Sequence, residues 1–249
     1  MQSRLRANRG RIELDLAESA DRQYFSAAFL AQYQAVSYMM QRYLEGEVID
    51  LGCGTIPFKG IANERISAYH TLDLQPRSKD TTYVGDIQDM YMIQSPSYDS
   101  AICFEVLEHV PHPQQAVREI YRILRPGGVA IISVPHLSRL HDEPHDYYRF
   151  TRYGVLHLLE TSGFVVLEIL EKGGLVSFLA HQVSTLLLSA AWSVPGFRQV
   201  AWLLNKWFIT RPCSWIDRAT NRSGVFALGY VVAAQKPLAD MQVRGEEEA

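Results

Sequence analysis

Apolar and aromatic side chains recur at helical spacing between residues 21 and 45, where Tyr24, Ala28 and Ala31 share a stripe that Ala35, Tyr38 and Met39 continue. The spacing predicts one helix leading into the core. From Glu47 the pattern changes to short apolar runs parted by turn residues and helical stretches. That alternation is expected of βαβ units around a parallel sheet. Strands are predicted over 47–51, 69–74, 82–85, 99–104 and 128–134. Between the last two, Ala116, Val117, Ile120, Ile123 and Leu124 form the apolar face of a helix that Pro126, Gly127 and Gly128 stop. Beyond a polar loop, a helix is expected over 151–162, ending at Gly163, then a sixth strand over 164–170 and a seventh from Ser223.

Composition narrows the class. The chain has 249 residues, 47% hydrophobic and 20% charged, which suits one folded α/β domain carrying an insertion. A formal charge of -3 lacks the basic footprint of a nucleic-acid binder, so no nucleic-acid partner is expected. Cys53, Cys103 and Cys213 are far apart and show no CxxC spacing, so neither a disulfide framework nor a zinc knuckle is suggested, which fits a reducing compartment. Arg4, Arg6, Arg9 and Arg11 precede no apolar h-region, so no secretory signal is read and a cytoplasmic protein is expected. The division expected is an arm and helix over 1–45, an α/β domain over 46–172 and 223–238, a helical insertion over 173–222, and a flexible tail over 239–249.

The strongest local signal is VIDLGCGTIPF, residues 48–58, where an apolar strand runs directly into Gly52-Cys53-Gly54. Glycines there let the backbone turn tightly and approach a ligand without a Cβ in the way. Asp73 closes the next strand 19 positions after Gly54, and Asp86 follows the short strand after it. Successive strands thus bring glycines and acids to one carboxyl edge, where open α/β sheets bind ligands.

DLGCGT, LDL, GDIQDM, FEVLEHV and LRPGGVAIISVP resemble the successive motifs of class I S-adenosylmethionine-dependent methyltransferases. The resemblance covers roughly residues 45–170 and implies a doubly wound, seven-stranded Rossmann-like sheet, with the seventh strand inserted beside the fifth and the helical insertion between strands six and seven. It implies S-adenosyl-L-methionine as methyl donor. Asp50, Gly52, Cys53 and Gly54 would wrap its methionine part, Asp73 with Leu74 would hold the ribose side, Asp86 and Ile87 the adenine, and Phe104 and Glu105 would pass beneath the sulfonium. The chain departs from the pattern at Ile56, where a third glycine is usual, followed by Pro57. The missing glycine also argues against a nucleotide-dependent oxidoreductase, which is the lesser alternative.

Methyl transfer from a sulfonium is a displacement, so catalysis should come from aligning the acceptor and removing its proton. His109 follows the fourth strand, and His136, His141 and His145 follow the fifth in PHLSRLHDEPHDYYRFT. His145 or His136 is the expected base, with His109 and Tyr147 completing the catalytic set. Such bases suit a hydroxyl, hence O-methylation of a small or hydrophobic acceptor. A binding scaffold without catalysis is the alternative from another class. Glu105, Glu108 and His109 form an E-x-x-E-H that resembles the metal-ligand segment of small-RNA 2'-O-methyltransferases and of some quinone O-methyltransferases, which need a further histidine such as His136, His141 or His145. A divalent ion is chemically sensible there, but the reading favoured is a helix cap, with no metal assigned.

Residues 173–197 contain no Asp, Glu, Lys or Arg, and Trp192, Trp202, Trp207 and Trp215 all fall in the insertion with Arg198, Lys206, Arg211, Arg218 and Arg222 against Asp217 alone. A helical pair bent at Pro195-Gly196 is expected. It would roof the acceptor site and serve either as a peripheral contact with anionic lipid or as a lid or homodimer face.

Overall fold

The computed structural model describes residues 21–61, 64–194, 196–220 and 226–238, with Asn8, Arg11, Ile12, Asp15, Leu16 and Ser19 before them. The described residues form two compact units, one within 36–170 and 229–238, the other within 8–35 and 171–228.

The first unit is a seven-stranded sheet of β1 (Gly46–Leu51), β2 (Ile66–Asp73), β3 (Tyr83–Val84), β4 (Tyr98–Phe104), β5 (Leu124–Pro135), β6 (Val165–Glu171) and β7 (Gly229–Gln235), in the order β3-β2-β1-β4-β5-β7-β6. The pairs β1–β2, β1–β4, β2–β3 and β4–β5 are parallel. β7 lies antiparallel beside β5, from Val129↔Gln235 to Pro135↔Gly229, as the doubly wound reading expected. Central strands are covered on both faces, so their sequences are near-continuous apolar runs rather than alternating ones. Val48, Ile49, Ile131, Ile132, Val231 and Val232 are all fully buried. α1 (Ala27–Tyr43) precedes β1, α2 (Pro113–Ile123) lies between β4 and β5, and α3 (Arg152–Glu160) lies between β5 and β6. α2 buries Ala116, Val117, Ile120 and Ile123.

Several boundaries moved for local reasons. The single helix expected over 21–45 is a 3-10 turn, Arg22–Phe25, followed by α1. Ser26 is extended, and its hydroxyl accepts from Phe29 N at 3.3 Å, the bond of a residue that starts a new helix. The fifth strand begins at Leu124 rather than 128 because the register shifts between Tyr98 and Ser100 and the strand runs through Pro126-Gly127-Gly128 as a bulge. Gly128 has no room for a side chain: a Cβ would lie 2.9 Å from Arg125 O and 3.0 Å from Asp99 O. α3 starts where Thr151 Oγ1 accepts from Gly154 N at 3.0 Å. The seventh strand starts at Gly229; Ser223, where it was expected to begin, lies outside the described residues.

The second unit contains α4 (Leu175–Ala191) and a run of helix without interruption from α5 (Phe197–Leu204) through a π segment (Asn205–Thr210) into α6 (Arg211–Thr220). α4 packs against all three. Of the expected bend, Gly196 has φ +81°, while Pro195 lies outside the described residues. N-terminal residues join this unit: Ile12 and Phe25 pack with Leu188, Ala191 and Ala201, and Asn8 Nδ2 donates to Ser189 O at 2.9 Å. Asn205 Nδ2 donates to the carbonyls of Tyr24 and Phe25, both at 3.0 Å. No helix among the described residues is long and apolar enough to cross a membrane. Arg4, Arg6, Arg9, Arg222 and the tail 239–249 lie outside the described residues.

Candidate active site

β1 delivers the glycine loop. Gly52 N and Cys53 N both donate to Leu72 O on β2, at 2.8 and 3.2 Å, and so fold the chain back at the sheet's carboxyl edge. Gly52 has φ +72°, and a Cβ there would sit 2.3 Å from Val106 Cγ2; both facts require glycine. Gly54, at φ +52°, has no heavy atom within 4 Å of where its Cβ would be, so the backbone here faces open space. Ile56, standing where the third glycine is usual, has φ +55°. The left-handed geometry is kept although the glycine is not, at a cost of roughly 1–2 kcal/mol.

The acids occupy different surroundings. Asp73, at the end of β2, accepts from Gly54 N through Oδ2 at 2.8 Å and from Gln75 N through Oδ1 at 2.9 Å. It therefore ties the glycine loop to the second strand. Asp50 is buried, and Tyr69 Oη donates to its Oδ2 at 2.8 Å. Burial pushes the Asp50 carboxyl up to about 7, against the opposing pull of the Tyr69 hydrogen bond and with a smaller push from Asp73. Asp50 stands behind the loop as a buried support. Leu74 is exposed and Ile87 buried, and Asp86 Oδ1 accepts from Gln88 N at 2.8 Å. Phe104 meets Phe58 edge to face at 5.1 Å. Glu105 is in the left-handed region at φ +54° and accepts from Ser133 Oγ on β5 at 2.7 Å, which fixes its carboxylate beside the ends of β4 and β5. Cys53 is buried, and burial raises its thiol to about 11; it lines the loop as an uncharged group.

The loop after β5 gathers most of the candidate chemistry. His145 Nδ1 lies 3.0 Å from Tyr147 Oη, so two residues expected in the catalytic set do meet. His109 Nδ1 lies 2.6 Å from His145 O. A backbone carbonyl can only accept, so Nδ1 carries a proton, and in the neutral ring Nε2 is then the nitrogen with the lone pair. That Nε2 lies 3.7 Å from Glu108 Oε1, and His141 Nε2 lies 3.8 Å from the same oxygen. Glu108, His109 and His141 each offer one ligand atom within 4.8 Å of the others. The acid is fully buried, and burial holds the His141 imidazole below its ordinary value. A two-histidine, one-carboxylate set of this kind fits a first-row divalent ion. His136 is placed differently, tilted against the Tyr230 ring at 5.9 Å.

The loop is held by two of its own polar residues, to which no role was assigned from the sequence. Arg149 grips Asp146 with two bonds, Nη1 to Oδ1 at 2.6 Å and Nη2 to Oδ2 at 2.7 Å. This guanidinium holds the Asp146 carboxyl far below the usual carboxylate range. Asp146 Oδ2 also accepts from His141 N at 2.9 Å, which sets the position of His141. The available signal was the D-x-x-R spacing within DYYR. Tyr69 and Ser133, partners of Asp50 and Glu105, left no comparable signal, because each sits on a neighbouring strand.

Residues 49–132 match the family model described as a methyltransferase domain. The ubiquinone biosynthesis O-methyltransferase of Xanthomonas oryzae pv. oryzae is 34% identical over 103 residues, covering 34% of this chain and 41% of that protein. The enzyme of the same description from Yersinia pseudotuberculosis is 29% identical over 117 residues, covering 39% and 47%. The match thus spans less than half the length of these curated relatives. Among solved structures, the [4+2]-cyclase SpnF superposes with a TM-score of 0.57 at 16% identity, covering 84% of this chain and 81% of that one. Phosphoethanolamine N-methyltransferase 2 of Haemonchus contortus, in complex with S-adenosyl-L-methionine, does so with a TM-score of 0.53 at 17% identity, covering 82% and 52%. Sheet order, glycine loop and these likenesses define the fold of the class I S-adenosylmethionine-dependent methyltransferases. Within it, residues 49–132 are the part that the family model of a methyltransferase domain matches.

Proposed function

We propose that the chain transfers a methyl group from S-adenosyl-L-methionine to a hydroxyl oxygen of a small or hydrophobic acceptor. The observation that carries this reading is the Gly54 N to Asp73 Oδ2 bond at 2.8 Å beside the open face of Gly54. A carboxylate fixed by backbone donors at the end of the second strand is placed to take ribose hydroxyls, and the glycine loop leaves room for an amino-acid moiety. Gly52, Cys53 and Gly54 would hold the methionine part, Asp73 and Leu74 the ribose side, Asp86 and Ile87 the adenine, and Phe104 and Glu105 the sulfonium side. When bound, the cofactor supplies an electrophilic methyl. The acceptor oxygen must then lose its proton as the new O–C bond forms and the S–C bond breaks. His145, within reach of Tyr147, is the candidate base, with His136 the second. The O-methyltransferase relatives support oxygen as the acceptor atom, and their role in ubiquinone biosynthesis supports a phenolic hydroxyl on a ring with an apolar tail. A shared fold alone does not set the chemistry, as the cyclase illustrates.

A second reading of proton removal is favoured by the Glu108, His109 and His141 cluster: those three residues would hold a divalent ion, which would lower the pKa of a bound hydroxyl. The test is transfer of radiolabelled methyl from S-adenosyl-L-methionine to demethylated quinol precursors, with and without chelator. Labelled product in the wild type supports O-methylation; tight cofactor binding with no transfer to any hydroxyl acceptor supports the scaffold alternative. Loss of activity with EDTA, rescue by Mn or Zn, and loss of calorimetric metal binding in His141→Ala would select the metal reading. Activity indifferent to EDTA, but about a hundredfold lower in His145→Ala, would select the imidazole base.

A further inference from the structure

The helices of the second unit have their polarity reversed relative to helices packed in water. In α4 the buried positions are Ser177, Ala180, Ser184, Leu188, Ser189 and Ala191, all small but Leu188, while Leu175, Leu179, Val183 and Leu186 are exposed, Leu186 by 65%. In the helical run 197–220 the buried positions are Ala201, Asn205, Thr210, Ser214 and Asp217. The exposed ones include Phe197, Leu203, Trp207, Phe208 and Trp215, of which Phe208 is 74% and Trp215 72% exposed. A helix facing water turns its large apolar side chains inward. Here, apart from Leu188, the buried positions of these helices are small or polar, while many of the large apolar side chains point out. That is how helices pack where the surroundings are hydrocarbon, since small residues allow close approach and lipid solvates the rest.

Charge selects among occupants. Residues 173–222 carry Arg198, Lys206, Arg211, Arg218 and Arg222 against one acid, Asp217. Asp217 is buried, 3% exposed, and is spent on the start of α4, where its carboxylate accepts from Gly174 N and Val176 N. The insertion's negative charge is thus turned inward. Asp15 and Asp21, from the N-terminal side, meet Arg198 and Lys206. Arg211 lies over the Trp207 ring at 3.9 Å, a cation and an indole side by side, as suits the headgroup level of a membrane. A second copy of this chain is a poorer occupant, because a two-fold contact would set the same basic side chains against each other.

We propose that the outward face of α4 and of the helical run 197–220 docks into the interfacial layer of an anionic lipid bilayer. The helices lie in the membrane plane, none being long and apolar enough to cross. The docking is independent of methyl transfer. Its test is flotation of the full chain with phosphatidylcholine vesicles, with and without phosphatidylglycerol. The wild type should float with the anionic vesicles and less so as salt is raised. Leu179→Glu combined with Phe208→Glu changes only exposed positions, and an unchanged circular dichroism spectrum would show the fold kept. That variant should lose vesicle affinity by about tenfold or more, and brominated lipid should quench tryptophan fluorescence less in Trp215→Phe than in the wild type. A wild type that never floats with anionic vesicles overturns the proposal, as does a variant that floats equally well. A dimer in light scattering that the double substitution splits, with no vesicle binding, would assign the face to a second copy instead.

Discussion

Asp50 and Asp73 are acids on neighbouring parallel strands in different surroundings. Asp73 is satisfied by two backbone donors, so Asp73→Ala strands those donors and removes the proposed ribose contact. Calorimetry should show S-adenosylhomocysteine affinity reduced about 10- to 150-fold, the equivalent of roughly 1.5–3 kcal/mol for a charge-assisted contact. Unchanged affinity would remove Asp73 from the cofactor site. Asp50 is raised to about 7 by burial, above an unfolded value of about 3.9. The folded chain therefore holds this proton more tightly than the unfolded one, and stability falls as pH rises between the two values. Asp50→Asn keeps an acceptor for Tyr69 and removes the buried charge. Its thermal midpoint should exceed that of the wild type at pH 8, by about 1–3 kcal/mol in stability, with the gain shrinking toward pH 4. Equal midpoints at pH 8 would show that the charge is not the cost. Both acids were legible as glycine-loop companions, but their difference was not, because it depends on how deeply each is buried, which no motif marks.

At the scale of elements, the turn after β1 and the segment after β4 are fitted to each other. A Cβ on Gly52 would lie 2.3 Å from Val106 Cγ2, and Glu105, just before it, is in the left-handed region. Gly52→Ala should destabilise by more than the roughly 1–2 kcal/mol of left-handed strain alone, because the clash adds to it. Val106→Ala in the same chain should recover the clash component and leave the strain. A double-mutant cycle by urea unfolding separates the two, and simple additivity of the two substitutions would show that they do not touch. Strand order, the glycine loop and the amphipathic face of α2 followed from period and turn chemistry. The break at Ser26 did not, since the aromatic stripe runs through it and only the side-chain bond to Phe29 marks the new start. The bulge in β5 was hidden for a related reason: Pro-Gly-Gly reads as a stop unless the crowding around Gly128 is known. Likewise, three histidines competed for one role in the loop, and it took the Asp146 to Arg149 clamp to put His141 rather than its neighbours beside Glu108.

For the whole molecule, what composition conveyed about the insertion was its apolarity, and what it concealed was which residues face inward. Hydrophobic content is the same whether leucines are core or surface; only the burial of Ser177, Ala180 and Ser184 reveals the reversal. The division into two units makes a separate prediction about folding. The sheet unit has its own buried core, from Val48 on β1 to Val232 on β7, and the chain leaves for the helices after β6 and returns before β7. Leu228 N donates to Lys172 O at 3.1 Å, so the exit and the return are adjacent, and a short turn could join them without stretching either strand. A chain in which residues 173–227 are replaced by an Asn-Gly turn should remain folded, since each unit buries its own apolar contacts. It should unfold cooperatively in urea with a smaller m-value, in proportion to the surface removed. If Gly52, Gly54 and Asp73 carry the cofactor, as proposed, S-adenosylhomocysteine should still raise its stability, by about 2.7 kcal/mol at a hundredfold excess over Kd. A shortened chain that lacks near-UV circular dichroism and gains nothing from the ligand would show that the sheet depends on the helices for its native state.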